Sequence, residues 1–553
     1  MSTVETASPP RDRWTTRAAE ILKQTGVRDG YCVVLGVGSG RLIEELVRQS
    51  ALRVIALEPD TAKVASARCG FFKQGVYGSR VHVVPGDLTT LKLAPYLASL
   101  VVSEEDHAVE PVMTLLRPYG GAACFSTVTR QGALPGAADW SHASGDAAHT
   151  FASQDQRIAA PLGVLWFAGG LDRTVLWIEN DPPKLPSEAE CSGFAGAGPP
   201  PRVAGGRMFI QIGDDLFASD IYTGRHLWKK TVKALDNFAA TEDSVYAVAG
   251  RNCLRLDAAT GKQQAEFRGD WREVRIRGDL LVGTTGKLLV CVDRHTGETR
   301  WKLESLRDEF GFAVGTDRVF CVDYWQLAHR QKDDPKTEEA EIIALKLASG
   351  EVLWRTQATT PTTALPKPKS FAPPLKPQLA FSEASDALVF TRNQATTAAY
   401  RGATGQLLWS KELLAKDAPT SFSSYHPPIV LADRLITHSG RVFGLLTGEP
   451  WGLRMWKGAN VDFRGCGRAL GSPRLITVRD GYASYFDLGT GAHTYFRGIR
   501  AGCTSSLIPA DGVVVAPHYS RHCNCNYPLS FSSAFVTMPE AAAWDVANAE
   551  KSQ

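Results

Sequence analysis

The sequence predicts two domains in series, an α/β domain built on a parallel sheet and then an all-β ring of short antiparallel strands. Three observations carry this expectation. At 553 residues the chain exceeds what one ordinary hydrophobic core serves. Helix-like and strand-like patterns alternate up to about residue 128. Beyond that, a short motif ending in a glycine turn recurs at separations of about 36 to 55 residues, the span of one four-stranded unit.

In the first region, residues 13–26 (RWTTRAAEILKQTG) place apolar side chains at helical spacing and stop at a glycine. Residues 31–47 (YCVVLGVGSGRLIEELV) then read as strand, glycine turn and helix, and the next apolar run ends on Glu58. Gly36, Gly38 and Gly40 fall where the strand becomes a helix, so backbone can approach a ligand closely and helix-terminal N–H groups face it. A carboxylate at Glu58 is placed to accept from two ribose hydroxyls. The pattern is that of a nucleotide-type cofactor site.

A dinucleotide fingerprint wants a further glycine at position 41, where this chain has Arg41. The G-x-G-x-G spacing resembles motif I of class I S-adenosyl-L-methionine-dependent methyltransferases. The resemblance continues in order through Gly86-Asp87-Leu88 after residues 81–84, the strand-like residues 100–103, and the turn in residues 116–125 (LRPYGGAACF). It implies a Rossmann-like domain over residues 1–130, S-adenosyl-L-methionine as cofactor, and Gly36, Gly38, Gly40, Glu58, Asp87 and Leu88 as the residues that bind it, with Asp87 on the adenine. Two departures stand out: Val34 occupies the place of an acid usual two residues before the first glycine, and residues 103–106 (SEED) replace an N/D-P-P-Y motif. Five strand candidates are visible, two short of a full methyltransferase sheet, with helices expected on both faces. Glu104, Glu105, Asp106 and His107, just after the fourth strand, are candidates for a catalytic base, and equally for a solvated loop.

The second region repeats residues 218–228 (ASDIYTGRHLW) six more times with variation, its turn glycines being Gly224, Gly261, Gly297, Gly350, Gly405, Gly448 and Gly491. A small polar residue ends one strand, Thr/Ser-Gly turns the chain, and a tryptophan four residues later packs between neighbours. A single unit cannot bury its own face, so the units must close into a ring. These repeats resemble those of PQQ-like, quinoprotein-type β-propellers. An eighth blade is expected from the strand at residues 163–167 together with strands between residues 505 and 537, giving an eight-bladed propeller over residues 161–540, a connecting segment over 131–160 and a tail over 541–553. Trp140 and His142 in the connecting segment are candidates to line a domain interface.

The residues resist a quinone-dependent oxidoreductase: such enzymes set a disulfide of adjacent cysteines against the quinone, and this chain has no Cys-Cys pair. Cys466, Cys503, Cys523 and Cys525, with His518 and His522 nearby, leave open a zinc site, a disulfide or free thiols, and no metal is predicted. Most of the eleven cysteines, such as Cys32, Cys124, Cys253, Cys291 and Cys321 in apolar strand-like runs, read as small core residues of a reducing compartment. A net charge of +3 implies no pull toward nucleic acid, and no apolar run of membrane-spanning length is visible, so a cytoplasmic location is expected. The reading favoured here is S-adenosyl-L-methionine-dependent methyl transfer to an unidentified acceptor, with the propeller presenting the acceptor or binding a protein partner. The alternative is a non-enzymatic propeller scaffold with a degenerate methyltransferase-like domain.

Overall fold

The computed structural model describes residues 12–168, 200–304, 309–326, 338–358, 378–392, 396–413, 428–437, 440–454, 468–480, 482–496, 499, 507–517 and 532–541. The chain divides into two compact units, residues 1–134 and 135–553.

In the first unit, strands β1 (Tyr31–Leu35), β2 (Arg53–Glu58), β3 (Val81–Pro85), β4 (Leu100–Ser103), β5 (Ala122–Cys124) and β6 (Val128–Arg130) form one sheet in the order β3-β2-β1-β4-β5-β6. All pairings are parallel except the hairpin of β5 with β6, so the sheet has one strand more than the five visible in the sequence. At three residues, β6 is too short to show an alternating pattern.

The helices differ from expectation. Helices α1 (Arg13–Thr25), α2 (Arg41–Gln49) and α3 (Thr61–Lys73) all pack on one face, where Ile21, Leu22, Leu42, Leu46, Val64 and Phe71 meet Cys32, Val34, Val54, Val83 and Val102. The opposite face, carrying Val33, Leu57, Val101 and Ala123, is covered instead by Leu88, Leu91, Leu93, Val112 and Leu116 from connections that hold a single 3₁₀ turn, Glu110–Val112. Short apolar runs suffice to cover a sheet face without helical periodicity, which is why the sequence misleads here. Asp12 caps α1 by accepting from the amides of Trp14 and Thr15, two of the donors that the first turn leaves without an intrahelical partner.

The second unit is a ring of eight four-stranded antiparallel blades. The innermost strands, in order, are Arg202–Ala204, Leu235–Ala240, Trp271–Arg277, Glu309–Val314, Gln378–Ser382, Ile429–Leu431, Leu470–Gly471 and Ile508–Ala510; each touches the next, and the last touches the first. The eighth blade is closed as the sequence implies, with β7 (Leu162–Ala168) supplying its outermost strand beside Ser532–Thr537. Joining the first and last strands of the propeller within one blade pairs two otherwise free edges and locks the ring.

The repeat motif packs blade on blade. A Cβ placed on Gly224, Gly261, Gly350, Gly405 or Gly448 would meet Trp166, Trp228, Trp301, Trp354 or Trp409 at 2.6–2.7 Å. Each tryptophan of one blade therefore lies flat on the turn glycine of the next, at a left-handed φ that glycine alone adopts without strain. The indole N–H groups donate across the same seam, from Trp228 to the Ala258 carbonyl at 3.0 Å and from Trp409 to Leu445 at 2.8 Å. Phe267 does this on Gly297 in one of the two repeats that lack a tryptophan. Trp451 is the exception at 41% exposure, and nothing described lies within 4 Å of a Cβ on Gly491.

Residues 135–161 are part of the ring. Residues 138–155 run once around its inner face and make backbone hydrogen bonds to seven of the eight blades. Ala138 accepts from Asp511, Trp140 pairs with Val203, Ser141 accepts from Ala240, Ala147 from Val314, Ala148 from Phe381, Thr150 from Val430, and Phe151 and Ser153 bracket Gly471. The third blade is held through a side chain, the Ile276 amide donating to His142 Nε2 at 3.0 Å. Asp155, fully buried, clasps this belt: one carboxylate oxygen accepts from Ala138 and Gly512, the other from Arg157 and Ile158. Trp140 and His142 are thus buried within the propeller unit, not set at a domain surface.

Candidate functional site

The N-terminal sheet changes direction at β1, with β2 and β3 on one side and β4 on the other, and ligands of open α/β sheets bind outside the carboxyl ends at such a point. There the chain places its glycine turn. Gly36, Gly38 and Gly40 have φ of 75°, 56° and 77°, so the turn demands residues without Cβ. The Gly36 amide donates to the Leu57 carbonyl at 2.8 Å, pinning the turn to β2. Arg41, in place of a further glycine, bonds Asp12 and Glu45 at 3.0 Å each and ties α2 to the start of α1.

Glu58 sits at the end of β2 at 5% exposure, accepting from the Val37 amide at 3.0 Å and the Asp60 amide at 3.0 Å. Each oxygen retains a lone pair, and the carboxylate is joined directly to the glycine turn. Asp87, at the end of β3, accepts through Oδ1 from the amides and hydroxyls of Thr89 and Thr90. Those bonds, the Thr89 hydroxyl foremost, pull its carboxyl down to about 2. Leu88 turns its side chain into the core of the second face. The turn and Glu58 are brought together, and Asp87 stands one strand farther out.

Glu104 holds a contact the sequence does not reveal. Its carboxylate accepts from the Ser39 amide at 3.0 Å and the Ser39 hydroxyl at 2.9 Å, and a Cβ on Gly38 would lie 2.3 Å from Oε2. Its neighbours are otherwise engaged: Asp106 accepts from the Ser126 amide, and His107 Nε2 lies 3.1 Å from Ser103 Oγ while its ring packs on Phe125. Beside them a groove of about 810 Å³ is lined by Trp14, Arg17 and Glu20 of α1 and by Glu104, Glu105 and Asp106.

Fitted against S-adenosyl-L-methionine, this surface offers bare backbone at the turn, a carboxylate on β2 with acceptor capacity left, and a carboxylate on β3. Glu104 occupies the space beside Gly38 on that turn.

In the propeller, burial governs the charged groups on the belt. His142 and His149 are pushed well below the usual histidine range by burial first and by Arg275 next. Asp139 is raised to about 7 by desolvation among neighbouring protein atoms and then by Asp511 and Asp146, although the residue keeps exposed surface, which weakens the desolvation. Cys253 and Cys291 are buried free thiols raised to about 12, unsuited to nucleophilic work. Cys466, Cys503, Cys523, Cys525, His518 and His522 lie outside the described residues. Among the described residues no His, Cys, Asp and Glu cluster suited to a metal ion occurs, and no helix is long and apolar enough to cross a membrane.

A family model of PQQ-type repeats, described as outer membrane protein assembly factor BamB, matches residues 164–278 and 265–443, together just over half of the chain. This chain belongs to that repeat family. Among solved structures, BamB from Moraxella catarrhalis is 13% identical over 60% of this chain and 94% of its own, with a TM-score of 0.38. A quinohemoprotein alcohol dehydrogenase from Pseudomonas putida is 11% identical over 72% and 80%, with a TM-score of 0.43. A putative S-adenosyl-L-methionine-dependent methyltransferase from Methanococcus maripaludis is 22% identical over 20% of this chain and 53% of its own, with a TM-score of 0.18, so this chain spans about half that protein's length. None of these scores reaches 0.5, and none bears on function. No curated protein matches the chain.

Proposed function

We propose that the N-terminal domain binds S-adenosyl-L-methionine and transfers its methyl group, with the PQQ-type propeller as the scaffold that recognises the acceptor. The observation that supports this reading is the placement of three ligand-type groups at the carboxyl ends of adjacent strands: the glycine turn on β1, Glu58 on β2 and Asp87 on β3. When bound, the cofactor supplies an electrophilic methyl group. The chain's part is to hold it: turn amides and α2's N-terminus face its polar end, Glu58 accepts from the ribose, and Asp87 from the adenine. Alignment of acceptor and methyl group then supplies most of the rate enhancement, so no dedicated catalytic side chain is required. The groove beside Glu104 is where an acceptor would approach.

A second reading, a non-enzymatic propeller scaffold, is favoured by Glu104 on the glycine turn and by the lack of helices on the second sheet face. Calorimetric titration of S-adenosyl-L-methionine and its demethylated product into the full chain separates the two. Micromolar binding abolished by Gly38→Arg and weakened by Asp87→Ala supports the enzyme; no binding by the folded chain overturns it.

A further inference from the structure

We propose that Glu104 is a gate on the cofactor site: its carboxylate occupies the glycine turn in the closed form and must swing off Ser39 before a ligand can enter. This rests on the cofactor reading above and adds to it a regulatory contact within the same site.

Three features of one contact support it. The donors Glu104 uses, the Ser39 amide and hydroxyl, stand immediately before the first turn of α2, where an incoming ligand's acceptors would otherwise bind. The space it fills is the hollow that Gly38 creates by lacking a Cβ, for Oε2 lies 2.3 Å from where that carbon would stand. Ligand and carboxylate therefore compete for the same volume and the same hydrogens. Finally, Glu104 follows directly on β4 and is only partly buried, so its side chain can leave by rotation without disturbing the sheet. The same residue lines the adjoining groove, so the open position has somewhere to go.

The contact is charge-assisted and lies near the surface, which sets its strength at one to two powers of ten in an equilibrium. The test compares the full chain with Glu104→Ala and Glu104→Gln, titrating S-adenosyl-L-methionine and following hydrogen exchange at the Ser39 amide. Glu104→Ala is expected to bind at least about tenfold more tightly than the parent, with Glu104→Gln between them. Faster exchange at Ser39 without ligand is expected in Glu104→Ala. Equal or weaker binding by Glu104→Ala overturns the gate while leaving the cofactor reading intact, and weaker binding makes Glu104 a ligand-recognising acid. Binding by neither chain removes the cofactor reading and the gate with it. Unchanged exchange at Ser39 removes the contact itself, whatever the titration gives.

Discussion

The two units use glycine in opposite ways. In the N-terminal sheet, Gly36, Gly38 and Gly40 leave a hollow at a strand end, and the protein covers it with a movable carboxylate. In the propeller, Gly224, Gly261, Gly350, Gly405 and Gly448 leave equal hollows, and each is filled by a buried or half-buried indole from the neighbouring blade. The same missing Cβ makes an opening in one place and a joint in the other. What separates them is the occupant: a carboxylate near solvent exchanges one hydrogen-bond partner for another at little cost, whereas a packed tryptophan does not.

Breaking the propeller's joints should therefore cost stability, and breaking the sheet's opening should cost binding. The largest effect is expected for Asp155→Ala, which takes the acceptor from four backbone amides where the belt meets the eighth blade, those of Ile158 and Gly512 buried, and should cost about 5 kcal/mol in denaturant unfolding. Trp228→Ala should cost about 3–5 kcal/mol, whereas Trp451→Ala, exposed and resting under Arg434, should cost about 1 kcal/mol. Similar losses at these two tryptophans would contradict the indole-on-glycine account. Gly38→Arg should lower S-adenosyl-L-methionine affinity by more than about 100-fold and leave the propeller's unfolding transition where it was.

A pH experiment sharpens the contrast further. His142 has its pKa depressed below 6.5 in the folded chain by burial and by Arg275, Arg202, His149 and Arg277 around it. The unfolded chain takes up that proton and the folded one does not, so the stability tied to the neutral ring is complete above about pH 6.5 and is lost as pH falls. Raised carboxyls at Asp139, Asp146 and Asp155 act in the opposite sense, since the stability tied to their protonated forms is lost as pH rises. The parent's own profile therefore blends opposing slopes. Relative to it, His142→Gln should gain up to about 1.4 kcal/mol per pH unit below pH 6.5, read from urea unfolding at pH 5, 6 and 7. A modest effect belongs to Asp87→Ala, about tenfold weaker cofactor binding without a change in fold, checked by the same titration.

Sequence reading reached the strands, the glycine turn and the repeats because each is written in neighbouring residues, and the closing eighth blade because the repeat count leaves one blade to be made from the strands at the two ends of the propeller. It missed β6, which spans only three residues, and it expected helices over the second sheet face, where apolar residues at irregular spacing do the covering. It also read residues 131–160 as a connection. From Pro135 onward they belong to the propeller unit, and nothing in their composition announces that Ala138 and Asp155 both meet one blade after a full circuit.

By itself the sequence determined every element whose cause is local: a glycine where φ must be positive, an Asx turn at Asp220, Asp257 and Asp293, a tryptophan in the outer strand of a repeat. Tertiary structure alone decided which distant groups meet across those elements. Glu104 reaches Ser39, 65 residues away, and the belt reaches eight blades spread over the remaining chain. Such pairings follow from chain closure and from the need of every buried amide for an acceptor, a condition on the whole fold that no short segment records.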